Sequence, residues 1–104
     1  PSGLVDAASA QRGKAIFERA DVGCATCHGG AMLTTSETVD VGTGSTFQVP
    51  SLIGVRTRAP YIHDGCAPTL LAGFEPSCGG TRHGETRHLT ESELADLASY
   101  LESL

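Results

Sequence analysis

A chain of 104 residues with three Phe, two Tyr and no Trp has few large side chains to fill a core, and domains this small often need a disulfide, metal or cofactor as a staple. The net charge of -5, with Lys14 and six arginines as the only permanent cations, provides no basic stripe for nucleic acid, and no run of about eighteen apolar residues provides a membrane span. Four cysteines in so short a chain read as a disulfide or cofactor framework. The sequence opens at "PSGLVDAAS" without an initiator Met or a leader, so the expectation is a removed export signal or a piece of something longer, with one domain over residues 1–104.

The first predicted helix covers residues 6–19. Ala10, Gly13, Ile16, Phe17 and Ala20 recur at steps of three and four, and Asp6 stands where a carboxylate can cap. Gly13 lies on this apolar face, where it either admits a close helix neighbour or is an ordinary small residue. Residues 29–49 carry little regular structure, apart from a weak hairpin joining Val39 and Val41 to Phe47 and Val49 around "GTG". So long a loop is uncommon in a compact domain unless it wraps a large group. Short helical turns follow at 50–55 and 68–74, the second with Pro68 near its first position. The last helix carries the clearest signals: Thr90 and Glu93 as a capping box, Leu89 and Leu94 as a staple, and Leu94, Leu97, Ala98, Leu101 and Leu104 along one face.

Residues 24–28, "CATCH", place Cys24, Cys27 and His28 in the Cys-x-x-Cys-His pattern of covalent haem attachment. Two thiols at this spacing add across the two porphyrin vinyl groups, and the adjacent histidine becomes the proximal iron ligand. A structural zinc would need Cys66 and Cys78 to complete its set, and their spacing of twelve lacks the tight knuckle of zinc ribbons. A thioredoxin-like pair would need a βαβ setting that this pattern does not offer. The expected fold is therefore all-α, a small monohaem cytochrome c arrangement with crossing N- and C-terminal helices, two short helices and long haem-wrapping loops. Neither Cys66 nor Cys78 has a histidine in attachment spacing, so one haem c is expected. The two are expected to form a disulfide, the other reading being two buried thiols. Haem attachment of this type and disulfides both imply a bacterial periplasmic or otherwise extracytoplasmic location.

Residues 47–70, "FQVPSLIGVRTRAPYIHDGCAPTL", resemble the segment F-x-V-P-S-L-R-N-V … A-P-Y-F-H-D-G-x-x-x-T-L of the bacterial dihaem cytochrome c peroxidase family, which its amine-dehydrogenase-maturing relatives share. "RAPYIHDG" is the most specific part, and the likeness runs from Gly13 to the C-terminus. The resemblance implies the C-terminal, electron-transferring domain. The family's peroxidase chemistry uses two haems in two domains, and with one attachment motif here the activity does not carry over. The family's arginine beside a haem propionate is Ile53 in this chain, leaving Arg56 or Arg58 as candidates for that contact or as solvated surface residues. His63 matches the histidine of H-D-G and is expected beside the haem pocket rather than on the iron.

Many electron-transfer domains of this family have a methionine after the "T-L" helix as the sixth ligand, and residues 70–80 contain none. Met32 follows His28 by four residues, which span at most about 13–14 Å, too little to round a porphyrin whose opposite ligands have backbones roughly 12 Å apart. In "TRHGETRH", residues 81–88, His83 is flanked by Gly79, Gly80 and Gly84, which let a backbone approach a flat macrocycle. The pattern G-G-x-x-H-G recurs in cytochrome domains of this group. His83 is the expected distal ligand, with His88 and an open or water-bound site as the alternatives. The expected function is electron transfer to a redox partner protein through a His/His haem of lowish potential, an electron carrier rather than an enzyme. A peroxidase-type or gas-sensing haem with an open or displaceable distal site is the competing reading.

Overall fold

In a computed structural model, the structure describes residues 6–36, 38–39, 47–62, 65–74, 78 and 83–104. Asp6 begins the first helix as its sequence position predicts: its carboxylate accepts the N–H groups of Ala8 at 2.9 Å and Ser9 at 3.3 Å. These are two of the N–H groups that the first turn cannot pair internally. Helix α1 spans Ala7–Phe17. It stops short of the predicted end, and Ala20, placed by periodicity on the apolar face, is exposed in the turn that follows.

A short helix, α2, covers Cys24–Cys27, and the last helix, α3, covers Glu91–Glu102. The capping box at the start of α3 is complete: Glu93 N–H donates to Thr90 Oγ1 at 3.1 Å and Thr90 N–H donates to Glu93 Oε1 at 2.9 Å. Leu89 is buried ahead of it and Leu94 packs against the same core.

The α1 and α3 helices cross at Gly13. A Cβ there would overlap the Asp96 carbonyl and lie 2.8 Å from Tyr100 Cβ, so the close-approach reading of this glycine is the correct one. Phe17 and Tyr100 stack beside the crossing with ring centroids 5.1 Å apart, tilted by 59°. Val22 and Leu97 are fully buried at the centre, with Ile16 and Leu101 around them.

Polar residues also bridge the crossing, which the apolar periodicity did not indicate. Ser9 Oγ donates to Asp96 Oδ1 at 2.7 Å, and Arg12 donates from Nε to Asp96 Oδ2 at 2.9 Å. The nearly buried Asp96 carboxylate is thereby paired and hydrogen-bonded, and its pKa is lowered, first by the Arg12 hydrogen bond and then by Ser9.

Between the helices the chain makes short turns and one minimal ladder. Strands β1, Thr38–Val39, and β2, Phe47–Gln48, pair antiparallel with Val39 opposite Phe47, as the hairpin pattern predicts; Val41 lies outside the described residues. The turn expected over 50–55 forms later, as a 3-10 turn at Val55–Thr57, because Gly54 adopts φ 68, which no helical turn can include. The turn expected over 68–74 is a 3-10 turn at Leu71–Phe74. The α-carbons of Cys66 and Cys78 lie 5.8 Å apart with their sulfurs paired. Among the described residues no helix is long and apolar enough to cross a membrane.

Candidate haem-attachment site

Helix α2 is a single turn, entered through Gly23 at φ 81, and both attachment cysteines sit on it. Residues three apart on a helix share a face, so the Cys24 and Cys27 side chains leave on the same side. Neither is in a disulfide. Cys24 packs against the core beside Ala25, and burial pushes its thiol up to about 11. Burial thus favours the neutral thiol at Cys24. Cys66 and Cys78 are paired with each other, and among the described residues no group of three or more His, Cys, Asp or Glu could hold a metal ion.

His28 follows directly. Its backbone N–H donates to Cys24 O at 3.0 Å, finishing the turn. Its Nδ1 lies 3.2 Å from the Leu33 carbonyl, an acceptor only, so Nδ1 carries the proton and Nε2 keeps its lone pair. The Pro50 carbonyl contributes to the electrostatics of the same ring. Burial lowers the His28 pKa, with these two carbonyls opposing it, which favours the neutral imidazole that a metal ligand requires.

The His83 ring stands 6.5 Å from the His28 ring, centroid to centroid, with 47° between the planes. Two imidazoles held on opposite sides of one metal ion by bonds of about 2.0–2.1 Å have centroids roughly 6.4 Å apart. Thus the fold brings together the rings of two histidines 55 positions apart in the chain. Backbone bonding helps hold the second: Glu85 N–H donates to Val22 O at 2.8 Å, and Gly84, at φ 74, lies against Val22 and Cys24.

The other sequence candidates are dispersed. His88 is at the surface, with Nε2 2.8 Å from Asp21 Oδ2, and Asp21 is held in turn by two hydrogen bonds from Arg19. Arg58 donates from Nη2 to the carbonyls of Ser51 at 2.6 Å and Ile53 at 3.0 Å, so its guanidinium braces backbone. Arg56 is half-buried nearby and makes no ion pair among the described residues. Met32 is exposed. His63 lies outside the described residues.

Sequence reasoning overlooked Thr34 and Ser51. Thr34 Oγ1 donates to Val49 O at 2.6 Å and Ser51 Oγ donates to Met32 O at 2.5 Å, tying residues 49–51 to residues 32–34, whose Leu33 carbonyl meets His28. The hint available was the V-P-S sequence of the resemblance segment, whose serine has no helix to cap.

An attachment turn with its histidine, packed on crossed terminal helices, defines a c-type haem domain. The cytochrome c family profile matches residues 10–104, and the chain belongs to that family, which implies covalently bound haem c. It is 28% identical to hydrazine synthase subunit gamma of Kuenenia stuttgartiensis, over 90% of this chain and 40% of the relative. It is 29% identical to methylamine utilization protein MauG of Methylorubrum extorquens, over 93% of this chain and 35% of the relative. Cytochrome-c peroxidase IdrP1 of Denitromonas iodatirespirans is 38% identical over 56% of this chain and 17% of the relative. These relatives identify a domain like those of the bacterial cytochrome c peroxidases, and the chain spans 40% or less of their length. A solved structure of the Kuenenia stuttgartiensis hydrazine synthase superposes with a TM-score of 0.86 at 28% identity, covering 92% of this chain and 46% of that one. A MauG-like protein associated with microbial copper homeostasis shares the fold, at TM-score 0.68 and 23% identity over 92% of this chain and 46% of that one.

Proposed function

We propose that this chain is an electron-transfer domain carrying one covalent haem c, with His28 and His83 as its axial ligands. The observation that carries the reading is the 6.5 Å separation of the two imidazole rings. When bound, haem c supplies a one-electron ferric/ferrous couple. Cys24 and Cys27 would anchor it through thioethers, and the Nδ1–H bond of His28 to Leu33 leaves the Nε2 lone pair free to bind the iron. His83 supplies the second imidazole, which donates to ferric iron more strongly than a thioether, so the potential falls below that of Met/His cytochromes. Arg56 is the better candidate for a propionate contact, since Arg58 is engaged with backbone carbonyls.

The Cys66–Cys78 disulfide and the covalent haem fit an extracytoplasmic location. The electron partner is a separate redox protein or a second haem domain, in keeping with relatives more than twice this length.

Optical and EPR spectra of the haem-loaded protein test the ligand set. The wild type is expected to be low-spin and indifferent to carbon monoxide and peroxide, His83→Ala high-spin, and His88→Ala unchanged. A low-spin His83→Ala protein removes His83 as a ligand. A high-spin wild type that binds carbon monoxide or peroxide favours the gas-sensing or peroxidase-type reading.

A further inference from the structure

A matched pair of hydroxyls joins residues 32–34, which carry the carbonyl on His28, to residues 49–51. In the first, Thr34 Oγ1 accepts the Ser36 N–H at 3.0 Å and donates across to Val49 O at 2.6 Å. In the second, Ser51 Oγ accepts the Ile53 N–H at 3.2 Å and donates across to Met32 O at 2.5 Å. Each hydroxyl thus accepts a hydrogen bond from the N–H two residues along its own segment, which aims its own O–H at a carbonyl of the opposite segment. The arrangement is reciprocal. Between the linked positions lie Pro50 and Leu33, and the Leu33 carbonyl lies 3.2 Å from His28 Nδ1.

The backbone between the clamps is held in an unfavourable conformation. Leu33, between the clamps, adopts φ 55, and Ser36, two residues beyond them, φ 61, both in the left-handed region that costs an ordinary residue roughly 1–2 kcal/mol. Such conformations persist where surrounding bonds over-determine them. Here those bonds include the two hydroxyl links and Thr35 N–H donating to Cys27 O at 2.7 Å, which ties the same loop to α2.

We infer that Thr34 and Ser51 are positioning residues for the proximal ligand, holding the Leu33 carbonyl against His28 and thereby setting the electron donation of its imidazole to iron. This rests on His28 being an iron ligand, as proposed above. A carbonyl held firmly on Nδ1–H raises the basicity of the ring and favours ferric iron. Loosening either clamp therefore raises the potential. The hydrogen bonds of both hydroxyls go to backbone groups, so their effect passes through the Leu33 carbonyl.

The test uses haem-loaded Thr34→Val and Ser51→Ala, with Thr34→Ser and Ser51→Thr as variants that keep the hydroxyl. Potentiometry gives the midpoint, and NMR of the ferric protein follows solvent exchange of the hyperfine-shifted His28 Nδ1–H. Each hydroxyl-less variant should shift the ferrous-to-ferric ratio at fixed poise about threefold or more toward ferrous, about 28 mV at 59 mV per tenfold. Each should also exchange the His28 proton faster, while the hydroxyl-keeping variants stay close to wild type. A lower melting temperature with unchanged potential and exchange overturns the inference, leaving these as ordinary loop bonds. So does an equal shift in the hydroxyl-keeping variants, which would trace the effect to side-chain shape. A wild type lacking any hyperfine-shifted His28 proton removes His28 as a ligand, and the inference with it; a normal wild-type signal insensitive to all four substitutions defeats the inference alone.

Discussion

Replacing Gly13 with Ala isolates the contact on which the helix crossing depends. The added Cβ would overlap the Asp96 carbonyl and stand 2.8 Å from Tyr100 Cβ, whereas carbons in ordinary contact are about 3.5–4.0 Å apart. Helix α3 must therefore retreat by roughly 1 Å, a gap that forfeits about a quarter to a half of each dispersion contact across it. Five buried side chains, Ile16, Phe17, Leu97, Tyr100 and Leu101, meet at this crossing. At about 2 kcal/mol each, losing a quarter to a half of their packing amounts to roughly 2.5–5 kcal/mol. The better helix propensity of Ala returns about 1 kcal/mol. The net loss is then about 1.5–4 kcal/mol, and at about 4–8 °C per kcal/mol the lower end alone lowers Tm by roughly 6–12 °C. Thermal melts of the haem-loaded protein followed by far-UV circular dichroism read this directly. Lys14→Ala, on the exposed side of the same helix, serves as the control and should move Tm little. A Gly13→Ala protein as stable as wild type, or more so, would refute the close-approach argument.

Three further outcomes follow from named contacts. The Asp21 carboxyl is lowered from 3.8 to about 2, chiefly by its hydrogen bond from Arg19 and further by His88, so its stabilising contribution is present above 3.8 and lost as pH falls through about 2. Asp21→Asn should lower Tm at pH 6 and converge on wild type near pH 2, and 1 M salt should narrow the gap; a gap independent of pH contradicts the pairing. Replacing both Cys66 and Cys78 with Ala should cost roughly 2–4 kcal/mol in denaturant unfolding, and two reactive thiols in the unreduced, unfolded wild type would argue against a disulfide. Arg58→Ala should loosen residues 51–53 and destabilise by about 1 kcal/mol, with Arg56→Ala having the larger effect on haem potential; the reverse order would reassign the propionate contact.

Several features were legible because their signals are local. Asp6, Thr90 and Glu93 act on N–H groups two or three residues away, so their caps could be read from spacing alone. The turn at 50–55 was misplaced because its boundary depends on the backbone angle of Gly54, which composition does not reveal. Ala20 was misassigned because a helical period gives the apolar face and not the point at which the helix ends.

By itself the sequence determined the attachment turn at Cys24, Cys27 and His28, the two terminal helices and the candidate set for the far side of the iron. Only the tertiary structure decided that Gly13 receives the Asp96 carbonyl, that His88 pairs with Asp21 while the His83 ring stands 6.5 Å from that of His28, and that Thr34 and Ser51 tie residues 32–34, with the Leu33 carbonyl on His28, to residues 49–51. The physical reason is separation along the chain. Periodicity and capping report interactions within one or two helical turns, whereas these contacts join residues brought together only after the helices have crossed and the loops have closed.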